Sequence, residues 1–126
     1  MAVKRISFQS IPVDEQDRAL DFYTRHLGFR VHTDAPSAEN WRWIFLALDG
    51  AGTRLHFAER KDMDIHDKPA LALEVDDVDA LCARLDAAGV RVTNAPQDAP
   101  WAPGVRWATL RDSEDNIVFI ESFKEG

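Results

Sequence analysis

Cysteine, clustered basic residues and long apolar runs are all scarce in this chain of 126 residues. The single cysteine, Cys82, excludes an intrachain disulfide and is typical of a reducing compartment. Acidic residues number 22 against 15 basic ones, and no stripe of Lys and Arg is present, so neither nucleic acid nor an anionic membrane is an expected partner. No apolar run reaches the length of a membrane span, and residues 1–10 lack the apolar segment of a signal peptide. We therefore expect a cytoplasmic protein.

The composition is that of an ordinary folded domain. Hydrophobic residues make up 45% of the chain and charged residues 29%, which is the balance of globular proteins. A chain of this length can bury a core without disulfides or a structural metal. We expect a single domain over residues 1–126.

The first half of the chain predicts a strand, a helix and three further strands. Alternating apolar residues indicate a strand over 3–13. Asp14 is placed to cap the helix that follows, and Gly28 to end it in the left-handed conformation. A charged segment over 59–67 then predicts a linker.

The second half predicts the same order of elements. A strand over 70–75 precedes a helix that Asp76 or Asp77 can cap. A proline-rich segment over 94–103 predicts a loop, and residues 112–116 predict the turn between the last two strands.

An internal repeat supports this order. Residues 20–31 match residues 81–92 at a constant offset of 61. Strand, capped helix, glycine and three strands, found twice, predict an α+β fold of two βαβββ modules, about 1–65 and about 66–126. Neither module could cover both faces of its sheet alone, so we expect the two to pack together.

Three short motifs near the start resemble the vicinal oxygen chelate superfamily. Residues 11–14 (Ile-Pro-Val-Asp), 18–23 (Arg-Ala-Leu-Asp-Phe-Tyr) and 27–29 (Leu-Gly-Phe) are similar to its first-module signature. Residues 104–123 are similar to its closing hairpin, although the family's usual turn Asp-Pro-Asp-Gly-Asn is here Asp-Ser-Glu-Asp-Asn. The family includes glyoxalase I, extradiol dioxygenases and the fosfomycin and bleomycin resistance proteins. The resemblance covers nearly the whole chain and implies a curved mixed sheet around a cup-shaped cavity.

The resemblance also implies where a metal would bind. In the family's metalloenzymes one divalent ion is held by four positions, which fall here at Phe8, His56, Ala70 and Phe119. Alternation favours Phe8 over Gln9 for the cavity side, because Ile11 and Val13 are needed against the helix. Only His56 of the four could donate to a metal, whereas a catalytic zinc site normally has three protein ligands, so no metal cofactor is expected. The alternative is one divalent metal ion in an irregular site that uses His56, Glu121 and Gln9.

Candidate site residues follow from the same placement. His56 and Glu121 are the candidate catalytic residues, as a base or hydrogen-bond donor and as a carboxylate. The candidate ligand-binding residues are Phe8, Ser10, Arg54, Ala70, Trp43, Trp101, Trp107 and Phe119. The alternative for each is ordinary structure: a satisfied core histidine, tryptophans that pack the core, and a solvated glutamate.

Three functions stay open at this level. The resemblance to bleomycin resistance proteins implies a metal-free protein that sequesters a small organic molecule. The resemblance to glyoxalase I and the dioxygenases implies a metal-dependent lyase, isomerase or dioxygenase. A metal-free enzyme with His56 as general base is the third. Because members of the family are commonly dimers, a homodimer is expected.

Overall fold

The computed structural model describes residues 2–37 and 40–124. The chain divides into two compact units, residues 1–64 and 65–126, which are called module one and module two below. The described residues of each form one α-helix and one four-stranded sheet, so the fold is α+β with two βαβββ modules. Within the described ranges no helix is long and apolar enough to cross a bilayer.

The elements follow one another in the same order in the two modules. Module one contains β1 (Phe8–Val13), α1 (Gln16–Leu27), β2 (Arg30–Ala35), β3 (Trp43–Ala47), β4 (Arg54–Glu59) and a single 3₁₀ turn (Arg60–Asp62). Module two contains β5 (Pro69–Glu74), α2 (Val78–Ala87), β6 (Val92–Asp98), β7 (Val105–Arg111) and β8 (Ile117–Phe123).

The sheet of module one has the strand order β1-β4-β3-β2, with β1 parallel to β4 and the other pairs antiparallel. Ser10 of β1 and Phe45 of β3 both lie opposite His56 of β4. Directly opposed residues share a face of a sheet. Ser10, His56 and Phe45 therefore form a row across one face.

The other face of this sheet carries the core of module one. Ile11, Val13 and Phe57 are fully buried there, and the Phe57 ring lies 6.0 Å from the ring of Tyr23 in α1. Burial of Ile11 and Val13 against the helix side confirms the predicted register, which leaves Phe8 on the face of His56. The predicted strand starts later than expected, at Phe8 in place of residue 3.

The prediction that Asp14 caps α1 is wrong. The N-cap residue is Glu15, whose side chain makes no capping hydrogen bond. The Asp14 carboxylate instead accepts a hydrogen bond from Nε of Arg60 at 2.9 Å. At the other end, Gly28 has φ 74 and ends the helix as predicted, in a conformation that a Cβ atom disfavours.

The sheet of module two has the equivalent order β5-β8-β7-β6. Phe119 of β8 lies opposite Ala72 of β5 and Thr109 of β7, so it holds the pairing position that His56 holds in module one. The core lies on the other face of this sheet. It contains Ala108, Leu110, Val118 and Ile120 together with Val78, Cys82 and Leu85 of α2.

In module two the structure decides one open alternative and corrects one prediction. Asp77 caps α2, since its Oδ1 accepts a hydrogen bond from the backbone N–H of Ala80 at 3.0 Å. The loop expected over 94–103 is shorter than predicted, because β6 extends to Asp98. Pro96 is tolerated because the pairing of β6 with β7 shifts between Asn94 and Gln97.

The closing turn of module two is built around Asp112. Its Oδ1 accepts hydrogen bonds from the backbone N–H groups of Glu114 and Asn116, both at 2.8 Å. Asp115 has φ 63 at the position where the resembled family has glycine. Aspartate is among the residues that tolerate this left-handed conformation, so the turn forms without the usual glycine.

Candidate functional site

His56 lies in the middle of the face of the module one sheet that is opposite the core. Its Nδ1 lies 2.9 Å from the hydroxyl oxygen of Ser10. Its Nε2 is buried and has no hydrogen-bond partner among residues 2–37 and 40–124. In either neutral tautomer, therefore, one donor or one acceptor of the imidazole is left unmatched.

Three aromatic rings surround this imidazole. The ring centroids of Phe45, Phe8 and Trp43 lie 4.9, 5.4 and 5.9 Å from that of His56. These four residues are called the aromatic face of module one. Phe8 is 47% exposed and Trp43 53% exposed, so the face presents a large apolar surface around one polar ring. Burial lowers the pKa of His56, which keeps its imidazole neutral at neutral pH.

A cavity of about 240 Å³ adjoins this face in module one. It is lined by Ser37, Trp41, Trp43, His56, Ala58, Glu59 and Asp62. The indole N–H of Trp41 donates to the backbone oxygen of Phe57 at 3.1 Å, which fixes that wall of the cavity.

Gln16, the first residue of α1, forms hydrogen bonds with the backbone of Arg42, the residue between Trp41 and Trp43. Its side-chain amide donates to the backbone oxygen of Arg42 at 2.8 Å and accepts from the backbone N–H of Arg42 at 3.0 Å. The Arg42 guanidinium in turn pairs with Asp17 and Asp34 at 2.9 and 3.0 Å. A buried amide that uses both its donor and its acceptor restricts the backbone to which it is bonded. The backbone that carries Trp41 and Trp43 is therefore held in place.

Module two has an aromatic cluster of its own, formed by Trp101, Trp107 and Phe119. The Trp107 and Phe119 rings are stacked, with centroids 5.7 Å apart and an interplanar angle of 17°. Trp101, which is 59% exposed, lies 5.6 Å from Trp107 and 6.4 Å from Phe119. The indole nitrogen of Trp107 is buried, and the described part of the chain supplies no acceptor for it.

The structure places the other predicted site residues as follows. Arg54 is exposed and lies opposite Phe8, on the same face of the module one sheet as His56. Glu121 lies opposite Trp107 on the face of module two that carries Phe119. Ala70 is buried at a register shift in β5, so Ala72 and not Ala70 is directly opposite Phe119.

Sequence reasoning missed several residues that build the module one site. Phe45 is the ring closest to His56, and its spacing of two from Trp43 in a strand was the signal for a shared face. Trp41, Glu59 and Asp62 line the cavity although they stand outside any motif. Gln16 carried no signal, because its partner lies 26 residues away.

The residues present do not fit the divalent ion of the resembled metalloenzymes. At the positions that the resemblance assigns to the metal ligands, Phe8 and Phe119 carry carbon rings and Ala70 carries a methyl group, none of which can donate to a metal. Across the described ranges no group of three or more His, Cys, Asp or Glu side chains could hold a metal. The one remaining position, His56, supplies a single nitrogen.

Comparisons with known proteins agree with this fold. The model of the Glyoxalase/Bleomycin resistance protein/Dioxygenase superfamily matches residues 5–118. The Bacillus subtilis (strain 168) protein YurT is 36% identical over 103 residues, which are 73% of this chain and 80% of that protein. TnmS3, an antibiotic binding protein from Streptomyces sp. CB03234, is 34% identical with a TM-score of 0.84, over 98% of this chain and 99% of that one. A lactoylglutathione lyase from Agrobacterium tumefaciens is 17% identical with a TM-score of 0.72, over 97% of this chain and 96% of that one, and shares the fold.

Proposed function

Since the chain belongs to the glyoxalase/bleomycin resistance protein/dioxygenase superfamily, we propose that it binds and sequesters a small, flat organic molecule without a metal ion. The molecule stacks on exposed aromatic rings and forms a hydrogen bond with a polar atom that the protein leaves unmatched. The similarity to TnmS3, which is described as an antibiotic binding protein, supports this type of function.

The observation that carries this proposal is the unmatched Nε2 of His56 on the aromatic face of module one. A buried polar atom without a partner costs about 1–3 kcal/mol. Because Nε2 is buried, the ligand reaches it when a neighbouring ring turns aside, and the hydrogen bond that then forms recovers this cost. Favourable ring contacts add about 0.5–1.5 kcal/mol beyond the area they bury. The half-exposed rings of Phe8 and Trp43 are available for this stacking.

The cluster of module two supports the same type of ligand. The unmatched Nε1 of Trp107 can only donate, so a partner there must offer an acceptor such as a carbonyl oxygen. Trp101 supplies exposed ring area beside it. A flat ring system that carries a carbonyl group fits both requirements of this cluster.

The available donor atoms support a metal-free mode of binding. Stable chelation needs several lone pairs that converge on one ion, and a single imidazole provides one. A metal-dependent lyase, isomerase or dioxygenase would need donors that Phe8, Ala70 and Phe119 lack. We therefore propose that ligand binding is independent of added or removed metal.

Titration with acridone, a flat tricyclic carbonyl compound, tests the proposal. We expect saturable binding by calorimetry and by tryptophan fluorescence, unchanged by a chelator. The Trp43→Ala variant should bind about tenfold more weakly, because stacking and buried area on the aromatic face are lost. Val31→Ala, which truncates an exposed apolar residue of β2 away from the cavity lining, is the control and should bind normally. No binding of flat aromatic compounds, or one equivalent of tightly held metal in the purified protein, would contradict the proposal.

Two further expectations stay predictions. A homodimer is expected because members of the family are commonly dimers. Light scattering coupled to gel filtration measures the mass of the particle in solution directly. The cytoplasmic location expected from the single cysteine is tested by cell fractionation.

A further inference from the structure

The cavity beside His56 in module one has an unusual set of walls. Two indoles, Trp41 and Trp43, and two carboxylates, Glu59 and Asp62, line it together with the neutral imidazole. The described residues that line it include no Lys or Arg. A cavity with aromatic walls and negative charge is the environment that proteins use for organic cations.

Basic residues that neighbour the lining residues in the chain do not cancel this preference. Arg42, between Trp41 and Trp43, is paired with Asp17 and Asp34. Lys61 lies 3.4 Å from Glu59, but its side chain is 70% exposed, and such surface pairs contribute little. Arg54 lies two residues before His56 on the same face of β4, roughly 7 Å along the strand, and is not among the lining residues. Arg60 is engaged by Asp14 and Asp64 at 2.9 and 3.2 Å.

The size of the cavity limits what it can hold. Sites for drug-sized ligands occupy roughly 300–1,000 Å³, whereas this cavity measures about 240 Å³. The cavity is therefore large enough for one charged group of a ligand but too small for the whole molecule. Trp43 and His56 belong both to the cavity lining and to the aromatic face, so a ring attached to that group would lie on the face.

We propose that module one selects cationic aromatic compounds, with the positively charged nitrogen in the cavity and the ring system on Phe8, Trp43 and Phe45. This inference rests on the proposed function and names the ligand class that it takes. Glu59 and Asp62 supply the charge, and Trp41 and Trp43 supply the faces on which the cation lies.

Three tricyclic probes of similar shape and different charge test the preference. Proflavine is protonated at neutral pH, acridine is neutral there, and anthracenecarboxylate is anionic. We expect proflavine to bind about tenfold more tightly than acridine and anthracenecarboxylate to bind most weakly. Added salt should narrow the gap between proflavine and acridine, since exposed charges are screened.

Charge-neutralising variants test the residues. Glu59→Gln and Asp62→Asn should each weaken proflavine binding by about threefold to tenfold and leave acridine binding unchanged. Asp86→Asn, on the exposed surface of α2 in module two, makes the same change in net charge and is the matched control. It should not alter the affinity for either probe.

The possible outcomes separate this inference from the proposed function. Equal binding of proflavine and acridine to the unaltered protein would overturn the cation preference and leave flat-ligand binding in place. An equal loss in Asp86→Asn would assign the effect to the net charge of the chain and would also overturn it. Failure of all three probes and of acridone would overturn the proposed function itself. The comparison of probes on the unaltered protein needs no variant to fold.

Discussion

Replacement of the Ser10–His56 pair by apolar side chains should separate stability from ligand binding. In the double variant Ser10→Ala/His56→Leu, the unmatched Nε2 atom and the 2.9 Å contact between the two side chains are removed together. The rings of Phe8, Trp43 and Phe45 stay in place. A leucine fills a space similar to that of the imidazole, so no large cavity is created.

The expected magnitude follows from two opposing contributions. Removal of a buried polar atom that lacks a partner stabilises the folded state by about 1–3 kcal/mol. Loss of the hydrogen bond between Ser10 and His56 costs about 0.5–1.5 kcal/mol. The free energy of unfolding should therefore stay equal or rise by about 1 kcal/mol. Ligand affinity should fall about tenfold, because one hydrogen bond to the ligand is lost.

Urea unfolding followed by circular dichroism measures the first quantity, and acridone titration measures the second. His32→Leu replaces an exposed histidine of β2 and serves as the control, with a change in unfolding free energy within about 0.5 kcal/mol and normal binding. A loss of more than about 2 kcal/mol in the double variant would show that Nε2 has a partner in solution. Unaltered acridone affinity would show that the ligand does not contact this atom. Either result would refute the reasoning.

Two more predictions concern pH and the closing turn. Burial lowers the pKa of His56, so below about pH 6.5 the unfolded chain binds a proton that the folded chain excludes. The free energy of unfolding should therefore fall faster with decreasing pH in the parent protein than in His56→Leu. Parallel curves of unfolding free energy against pH, measured by urea titration, would contradict this. Asp112→Ala should lower the unfolding free energy by about 3 kcal/mol, because the buried N–H groups of Glu114 and Asn116 lose their acceptor. The neighbouring Ser113→Ala variant should be neutral or slightly stabilising, since the Ser113 hydroxyl has no partner in the described structure. Equal losses of unfolding free energy in the two variants would argue against the role of the Asp112 carboxylate.

Features that depend on local chain geometry were predictable from the sequence. Gly28 ends α1, and Gly89 follows the C-cap residue of α2; both adopt positive φ, at 74 and 85, where a Cβ atom is disfavoured. The alternation of Ile11 and Val13 placed Phe8 on the face of His56, because side chains in a strand point to opposite sides in turn. These rules act over a few residues, which is why the two βαβββ modules could be inferred from one chain.

Features that depend on residues far apart in the chain needed the tertiary structure. Asp14 is suited to cap α1, yet Arg60 engages its carboxylate from 46 residues away. Gln16 fixes the segment before β3 through a partner that no local pattern indicates.

The same distinction between local and long-range features applies to the candidate site. The sequence by itself determined which face of the strand carries His56, because the side-chain period of a strand is two. Only the tertiary structure decided that Nε2 of His56 is left without a partner and that Glu59 and Asp62 line the cavity beside it. Whether a polar atom is matched, and which charges border a cavity, depends on packing between strands, which a linear pattern does not encode.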